Sequence, residues 1–171
     1  MGVISVFRTV AVVGNYDAPM KLFANLPPAH SPDAGQLVCM GAEWYRFPSS
    51  FYLPGAGYRL GFVKSGGFSG LLPLPFNAAT GGVAYAPPAL NDRNREVAEQ
   101  YVASPREMCT FWVGLAEEQP PAGARWSRVA GAPFLDAGRS PALWRAFHVP
   151  GVSRSRNVYT ELRLLRNNGA E

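Results

Sequence analysis

The sequence contains 171 residues with a net charge of +4; 47% of the residues are hydrophobic and only 16% are charged. A chain of this length fits one domain with a buried core, and its 18 glycines and 16 prolines disfavour a helical bundle and favour short strands joined by many turns. Arginine supplies nearly all of the positive charge, but the arginines are dispersed rather than gathered in a basic stripe, which argues against nucleic-acid binding.

The chain begins with apolar residues that predict a helix over 3–13, with Gly14-Asn15 as its expected end. A second short helix is expected to open at Asp17-Ala18-Pro19 and to run to Phe23, with proline in its first turn. No segment reaches the roughly 18 to 20 apolar residues that a membrane span needs. Residues 1–26 are therefore predicted to be a helical lead-in, either a soluble amphipathic helix or the last turns of a longer membrane helix.

Residues 27–171 are predicted to form a single globular domain. Strands are expected at 36–40, 58–64, 107–115, 126–130 and 158–166, and helices at 95–102 and 140–147. Residues 65–90, rich in glycine and proline, predict a long ordered loop, and the tail after Asn167 is expected to fray. Strands interleaved with short helices predict an α/β or α+β fold, in which a small mixed sheet is flanked by short helices and Gly/Pro-rich loops.

The cysteines, Cys39 and Cys109, both lie in apolar runs that resemble strands. Two buried free thiols are the favoured interpretation, and a disulfide across neighbouring strands is the alternative. His30 and His148 are far apart in the sequence and have no partner at the spacing of metal ligands, so no metal site is expected.

The segment Glu43-Trp44-Tyr45-Arg46 follows an apolar strand directly and combines two large aromatic residues with an acid and an arginine. The aromatic rings could stack on a sugar or a lipid while Arg46 contacts an anion. Residue chemistry alone favours a structural interpretation, in which Glu43 pairs with Arg46 and Trp44 packs in the core.

Two turn motifs have the same two interpretations. In the segment 133–140, Asp136 and Arg139 could bind a ligand, but they are better explained by a turn that Asp136 caps and Arg139 closes with a salt bridge, after which Ser140 caps a helix with Pro141 at its first position. Residues 91–94 predict a turn rather than a cation site. The sequence contains no phosphate-binding glycine motif and no recognisable nucleophile with its base, so no catalytic residue is assigned.

Several blocks, in this order and spacing, resemble the C-terminal part of the dolichyl-phosphate-mannose-dependent α-1,2-mannosyltransferase family of asparagine-linked glycosylation. The most specific block is the Glu-Trp-Tyr-Arg-Phe-Pro-Ser-Ser run within residues 38–53. The other blocks are 15–19, 90–94, 133–140, 145–150 and 158–160. The resemblance extends over nearly the whole chain.

This resemblance implies a multi-pass GT-C glycosyltransferase of the endoplasmic reticulum membrane, with this chain as a domain on the luminal side. The expected partners are dolichyl phosphate mannose and the lipid-linked oligosaccharide, both reached through a membrane part that this chain lacks. The family's catalytic acid lies in an early luminal loop that has no counterpart here, so the chain alone is expected to be inactive and no cofactor is expected.

The resemblance also changes three interpretations. Trp44, Tyr45 and Arg46 become the candidates for contact with the acceptor glycan. The lead-in becomes the luminal exit of the last membrane span, and a luminal setting makes the Cys39–Cys109 disulfide as well supported as free thiols. The alternative function is a non-catalytic glycan-binding or scaffold module that shares this domain.

Overall fold

A computed structural model describes residues 2–28, 31, 35–41, 50–64 and 101–170. The helices within these ranges are α1 (Gly2–Tyr16), α2 (Ala18–Phe23), α3 (Pro105–Met108), α4 (Ala142–Ala146) and α5 (Ser153–Arg156), and Ser50–Tyr52 form one 3-10 turn. The strands are β1 (Gln36–Gly41), β2 (Tyr58–Val63), β3 (Cys109–Leu115), β4 (Ala124–Leu135) and β5 (Tyr159–Ala170).

The strands form one mixed sheet in the order β2-β1-β3-β5-β4. Strand β1 is parallel to both β2 and β3, whereas β5 is antiparallel to both β3 and β4. Parallel neighbours need a crossover connection, which the long stretches between β1, β2 and β3 can provide. The expected fold class, a small mixed sheet with short helices beside it, is confirmed.

One face of the sheet carries the larger part of the core. Side chains two residues apart on a strand point to the same face, and α2 covers that face with Leu22 and Phe23, each 1% exposed. The strand residues in the same buried cluster include Val38, Met40, Phe111, Val113, Leu162 and Leu164. Full burial of each large apolar side chain contributes about 1.5–3 kcal/mol, so this cluster contributes a large share of the stability of the fold.

The opposite face holds a smaller cluster around a disulfide between Cys39 and Cys109, whose Cα atoms lie 5.6 Å apart. The structure therefore decides between the two alternatives that the sequence and the resemblance had left equally supported, and it shows the disulfide rather than free thiols. The two cysteines meet because β1 and β3 are parallel neighbours in which Leu37 pairs with Cys109, which brings Cys39 within bonding reach. Trp112 packs beside the disulfide, and its indole occupies the space where a Cβ atom on Gly114 would lie.

Helix α1 is longer than predicted because Gly14-Asn15 does not end it. The amide of Asn15 donates to the carbonyl of Arg145 (3.2 Å) and its oxygen accepts from the hydroxyl of Tyr159 (2.7 Å). These tertiary bonds hold the last turn of α1 against the domain. Asn15 is thus an anchor rather than a helix stop.

The C-terminal strand is also longer than predicted, since β5 runs to Ala170 instead of fraying after Asn167. Pairing with β4 continues as far as Ala124 opposite Ala170. The Asn167 side chain donates to the carbonyls of Arg106 (2.8 Å) and Cys109 (2.9 Å), which fixes this end of the strand to the disulfide region.

Smaller differences concern the ends of elements. The predicted helix at 95–102 does not include Tyr101 and Val102, which instead bridge to Phe62 of β2, and its residues 95–100 lie outside the described ranges. The short helices α3 and α5 were not predicted, and α3 delays the start of β3 to Cys109. Strand β4 is longer at both ends than the predicted 126–130 because it pairs with β5 over most of its length. The predicted loop at 65–90 and turn at 91–94 fall outside the described residues.

Candidate functional site

The sequence-predicted contact residues Trp44, Tyr45 and Arg46 lie outside the described residues. They follow β1 closely in the sequence, because β1 ends at Gly41, three residues before Trp44. Strand β1 is the second strand of the sheet, between the edge strand β2 and β3.

The described residues contain a groove beside the turn that follows β4, with a volume of about 720 Å³. We call it the Asp136 groove. The apolar residues that line it are Tyr16, Pro19, Leu115, Phe134 and Leu135. The polar residues that line it are Glu117, Glu118, Asp136, Arg139 and Thr160. The end of β3, the end of β4, the start of β5 and the junction of α1 with α2 all contribute.

The turn at Asp136 has the geometry that its sequence predicts. One carboxylate oxygen of Asp136 accepts from the backbone N–H of Arg139 (2.9 Å) and the other accepts from Nε of Arg139 (2.6 Å). These two hydrogen bonds, the side-chain one above all, lower the pKa of Asp136. The side-chain bond and the negative charge of Asp136 raise the pKa of Arg139. The ion pair between the two side chains uses Nε of Arg139.

Ser140 does not have the role that its sequence position suggests. Helix α4 begins at Ala142 after an extended Pro141, without a side-chain cap. The buried hydroxyl of Ser140 instead donates to the carbonyl of Val158 (3.2 Å) and accepts from its N–H (2.9 Å). Ser140 therefore connects the Asp136 turn to Val158, just before β5, through two hydrogen bonds, and it does not cap α4.

A second acidic residue that lines the groove is Glu117, which the sequence did not single out. It accepts from the hydroxyl of Thr160 (2.6 Å), and this bond is the main reason that its pKa is lowered. Glu117 and Thr160 are 43 residues apart, and only the antiparallel pairing of β3 with β5 brings them together. Residues that far apart carry no local signal, which is why the sequence motif found Asp136 but missed Glu117.

The turn that carries Glu117 is held rigidly. A guanidinium nitrogen of Arg163 donates to the carbonyls of Leu115 (3.2 Å), Ala116 (2.5 Å) and Glu118 (3.4 Å). The backbone N–H of Leu115 donates to the carboxylate of Glu118 (2.8 Å), which closes the turn from the other side. These bonds fix the position of the turn that carries Glu117.

A second notable surface is the outer face of α1. Val3, Val6, Val10 and Val13 recur at intervals of three and four residues, which places them on one face of the helix. They are 67%, 57%, 42% and 60% exposed, while Ala11 and Asn15 on the opposite face are buried. Within the described ranges, no helix has both the length and the apolar character needed to cross a bilayer.

Within the described part of the chain, no group of three or more histidine, cysteine, aspartate or glutamate side chains is close enough to hold a metal ion. His148 uses its backbone N–H to donate to the carbonyl of Phe7 in α1, and His30 lies outside the described residues.

Curated relatives named α-1,2-mannosyltransferase ALG9 match along most of this chain. The Arabidopsis thaliana protein is 35% identical over 93% of the chain, and the Mus musculus protein is 36% identical over 96% of it. The Saccharomyces cerevisiae protein is 34% identical over 84% of the chain. The chain spans only 28–29% of the length of these relatives.

No protein-family model matches the chain, and no solved structure matches it. The sequence relatives come from plants, animals and fungi, and those named above all carry the same description. This chain is therefore homologous to one part of the ALG9 α-1,2-mannosyltransferases.

Proposed function

We propose that this chain is the C-terminal, luminal part of an α-1,2-mannosyltransferase of the endoplasmic reticulum membrane. The complete protein would transfer mannose from dolichyl phosphate mannose to the dolichol-linked oligosaccharide that precedes protein N-glycosylation. The observation that carries this proposal is the 35% identity to an ALG9 protein over 93% of the chain, which spans only 28% of that relative. The catalytic centre would belong to the membrane part of the complete protein.

The disulfide supports the luminal side. Disulfides persist in oxidising compartments such as the endoplasmic reticulum lumen and are rare in the cytosol. Cys39 and Cys109 are 0% and 1% exposed and lie within a packed cluster. Their disulfide is therefore buried inside the domain and is not a bond between two surface cysteines. A domain built around such a bond is suited to the lumen.

The exposed valine face of α1 supports the proposed division of the chain. Residues 1–26 would form the lead-in from the end of a membrane helix, and 27–171 the globular luminal domain. Apolar side chains that point away from the domain are costly in water, and lipid or a membrane helix would cover them. The anchoring of Asn15 to Arg145 and Tyr159 would set the domain at a fixed angle to the membrane.

The contact of Trp44, Tyr45 and Arg46 with the acceptor glycan is also part of this proposal. Aromatic rings offer a stacking surface for sugar rings, and arginine donates to hydroxyl or phosphate oxygens. Strand β1, which precedes these residues, lies between β2 and β3 and would hold the start of this segment at the end of the sheet.

A segment exchange tests the proposal. The matching segment of the Saccharomyces cerevisiae relative is replaced by this chain, and the hybrid is the only copy in the cell. Lipid-linked oligosaccharides are then extracted and digested with an α-1,2-specific mannosidase. We expect the hybrid to restore the α-1,2-mannose that a control with the segment deleted lacks.

Oligosaccharides identical to those of the deletion control, from a hybrid protein that is present at normal level and correctly folded, would contradict the proposal. That result would favour the non-catalytic glycan-binding or scaffold module as the function of this domain.

A further inference from the structure

Apart from the Asp136 groove, a second pocket lies where the last turns of α1 meet the region around α5. It has a volume of about 430 Å³, and we call it the Arg154 pocket. Helices α1, α2 and α5 and strands β4 and β5 all contribute residues to it. Its charged residues and its histidine are Asp17, Lys21, Arg154 and His148.

The charges in this pocket do not cancel. The carboxylate of Asp17 lies 2.7 Å from Nζ of Lys21, so these two charges compensate each other. Among the described residues, the guanidinium of Arg154 has no hydrogen-bond or ion-pair partner, and the same is true of the imidazole of His148. Arginine binds the oxygens of a phosphate through two parallel hydrogen bonds. The pocket therefore fits a phosphate group better than a cation or a neutral ligand.

The backbone that carries His148 and Arg154 is held in place. The N–H of His148 donates to a carbonyl of α1 (2.9 Å). The buried hydroxyl of Ser153 donates to the carbonyl of Phe147 (2.9 Å) and accepts from the N–H of Val149 (2.7 Å). The residues on both sides of His148 are thus bonded to the residue that precedes Arg154. A site whose backbone is fixed loses less entropy when it binds a ligand.

The Arg154 pocket adjoins the valine face of α1. Val10 belongs to that face and also lines the pocket. Gly14 follows one turn later in α1 and lines the pocket as well, and a Cβ atom at Gly14 would meet only open space. An exposed apolar helix face beside basic residues is the combination with which proteins bind the surface of an anionic membrane.

We propose that the Arg154 pocket binds the headgroup phosphate of an anionic phospholipid while the valine face of α1 contacts the acyl chains. This lipid is a component of the bilayer and neither the donor nor the acceptor of mannose. The bilayer as the source of the phosphate rests on the proposed function, which sets α1 at the membrane, whereas the fit to a phosphate rests on the pocket. Contact through the valine face alone would let the domain rotate about α1, and the second contact fixes its orientation.

The test uses flotation of the 171-residue protein with vesicles of phosphatidylcholine alone and with vesicles that also contain phosphatidylinositol. We expect tighter binding to the anionic vesicles. Arg154→Gln should weaken binding to the anionic vesicles about tenfold, as expected for the loss of a charged hydrogen bond, and should leave binding to the neutral vesicles unchanged.

The matched control is Arg156→Gln, which removes the same charge from another exposed position of α5. Arg156 does not line the pocket, and residues two apart on a helix do not face the same side. Its replacement should therefore have a clearly smaller effect than that of Arg154. Thermal unfolding shows that each variant is folded before its binding is measured. Equal losses in the two variants would overturn the inference, because they would show a response to surface charge without a site.

Two soluble probes identify the source of the phosphate. Glycerophosphoinositol and inorganic phosphate are titrated separately, and NMR chemical shifts are followed in the wild type and in Arg154→Gln. We expect glycerophosphoinositol to shift the signals around the pocket in the wild type and not in the variant. Binding of inorganic phosphate without any preference for anionic vesicles would assign the pocket to a soluble anion and overturn the inference.

The outcome is separable from that of the segment exchange. A protein that shows no preference for anionic vesicles, although the exchange succeeds, overturns this inference alone. A preference for anionic vesicles that depends on Arg154 supports it even if the exchange fails.

Discussion

Removing the Cys39–Cys109 disulfide is expected to lower the free energy of unfolding by about 3–4 kcal/mol. The bond closes a loop between residues 70 positions apart, so it restricts a large part of the unfolded chain. It also fills the space between β1 and β3 next to Trp112. A small domain has only about 5–15 kcal/mol of stability in total, so the loss would be a large fraction of it.

The measurement compares urea unfolding of the wild type with that of Cys39→Ala/Cys109→Ala. A reducing agent should lower the midpoint of the wild type nearly to that of the variant and should leave the variant itself unchanged. Mass spectrometry after alkylation without reduction counts the free thiols. Two alkylated cysteines in the native protein, together with a midpoint that does not respond to reductant, would show that the bond is absent.

The second large effect concerns the valine face of α1. We expect the 171-residue protein to bind vesicles of phosphatidylcholine and phosphatidylinositol, and Val6→Asp/Val10→Asp to reduce that binding about tenfold or more. The two valines are 57% and 42% exposed, so they would lose apolar contact with lipid. The two new carboxylates would in addition oppose burial.

The matched control is Ser5→Asp/Thr9→Asp, which adds the same charge to exposed positions of α1 beside the valine face. Flotation of the vesicles on a density gradient separates bound from free protein. If the control loses vesicle binding to the same extent, the added negative charge, and not the loss of the valine side chains, explains the weaker binding. No binding by the wild type would remove the support that α1 gives to a membrane-proximal lead-in.

Most of the fold could be predicted because its signals are local. Apolar runs bounded by glycine and proline mark β1 and β2, and Asp17-Ala18-Pro19 marks the start of α2. The turn at Asp136 and Arg139 has its expected bonds because both partners lie within four residues. Features of this kind depend on backbone preference and on neighbouring side chains, which a sequence displays directly.

The errors share a different cause, since each depends on partners far away in the sequence. Asn15 extends α1 because Tyr159 and Arg145 hold it, and β5 continues to Ala170 because β4 pairs with it. The disulfide could not be chosen over free thiols until β1 and β3 were known to be neighbours. For the same reason, the sequence alone could not show that Glu117 and Tyr16 line the same groove as Asp136, because only the folded sheet brings them together.

We propose that this chain is part of a mannosyltransferase whose catalytic centre lies in the membrane part of the complete protein. A direct assay supplies dolichyl phosphate mannose and a dolichol-linked oligosaccharide acceptor, first to membranes that contain the complete protein and then to the 171-residue chain alone. We expect addition of α-1,2-linked mannose by the complete protein and none by the chain alone. Turnover by these 171 residues, or a complete protein that transfers no mannose, would contradict it.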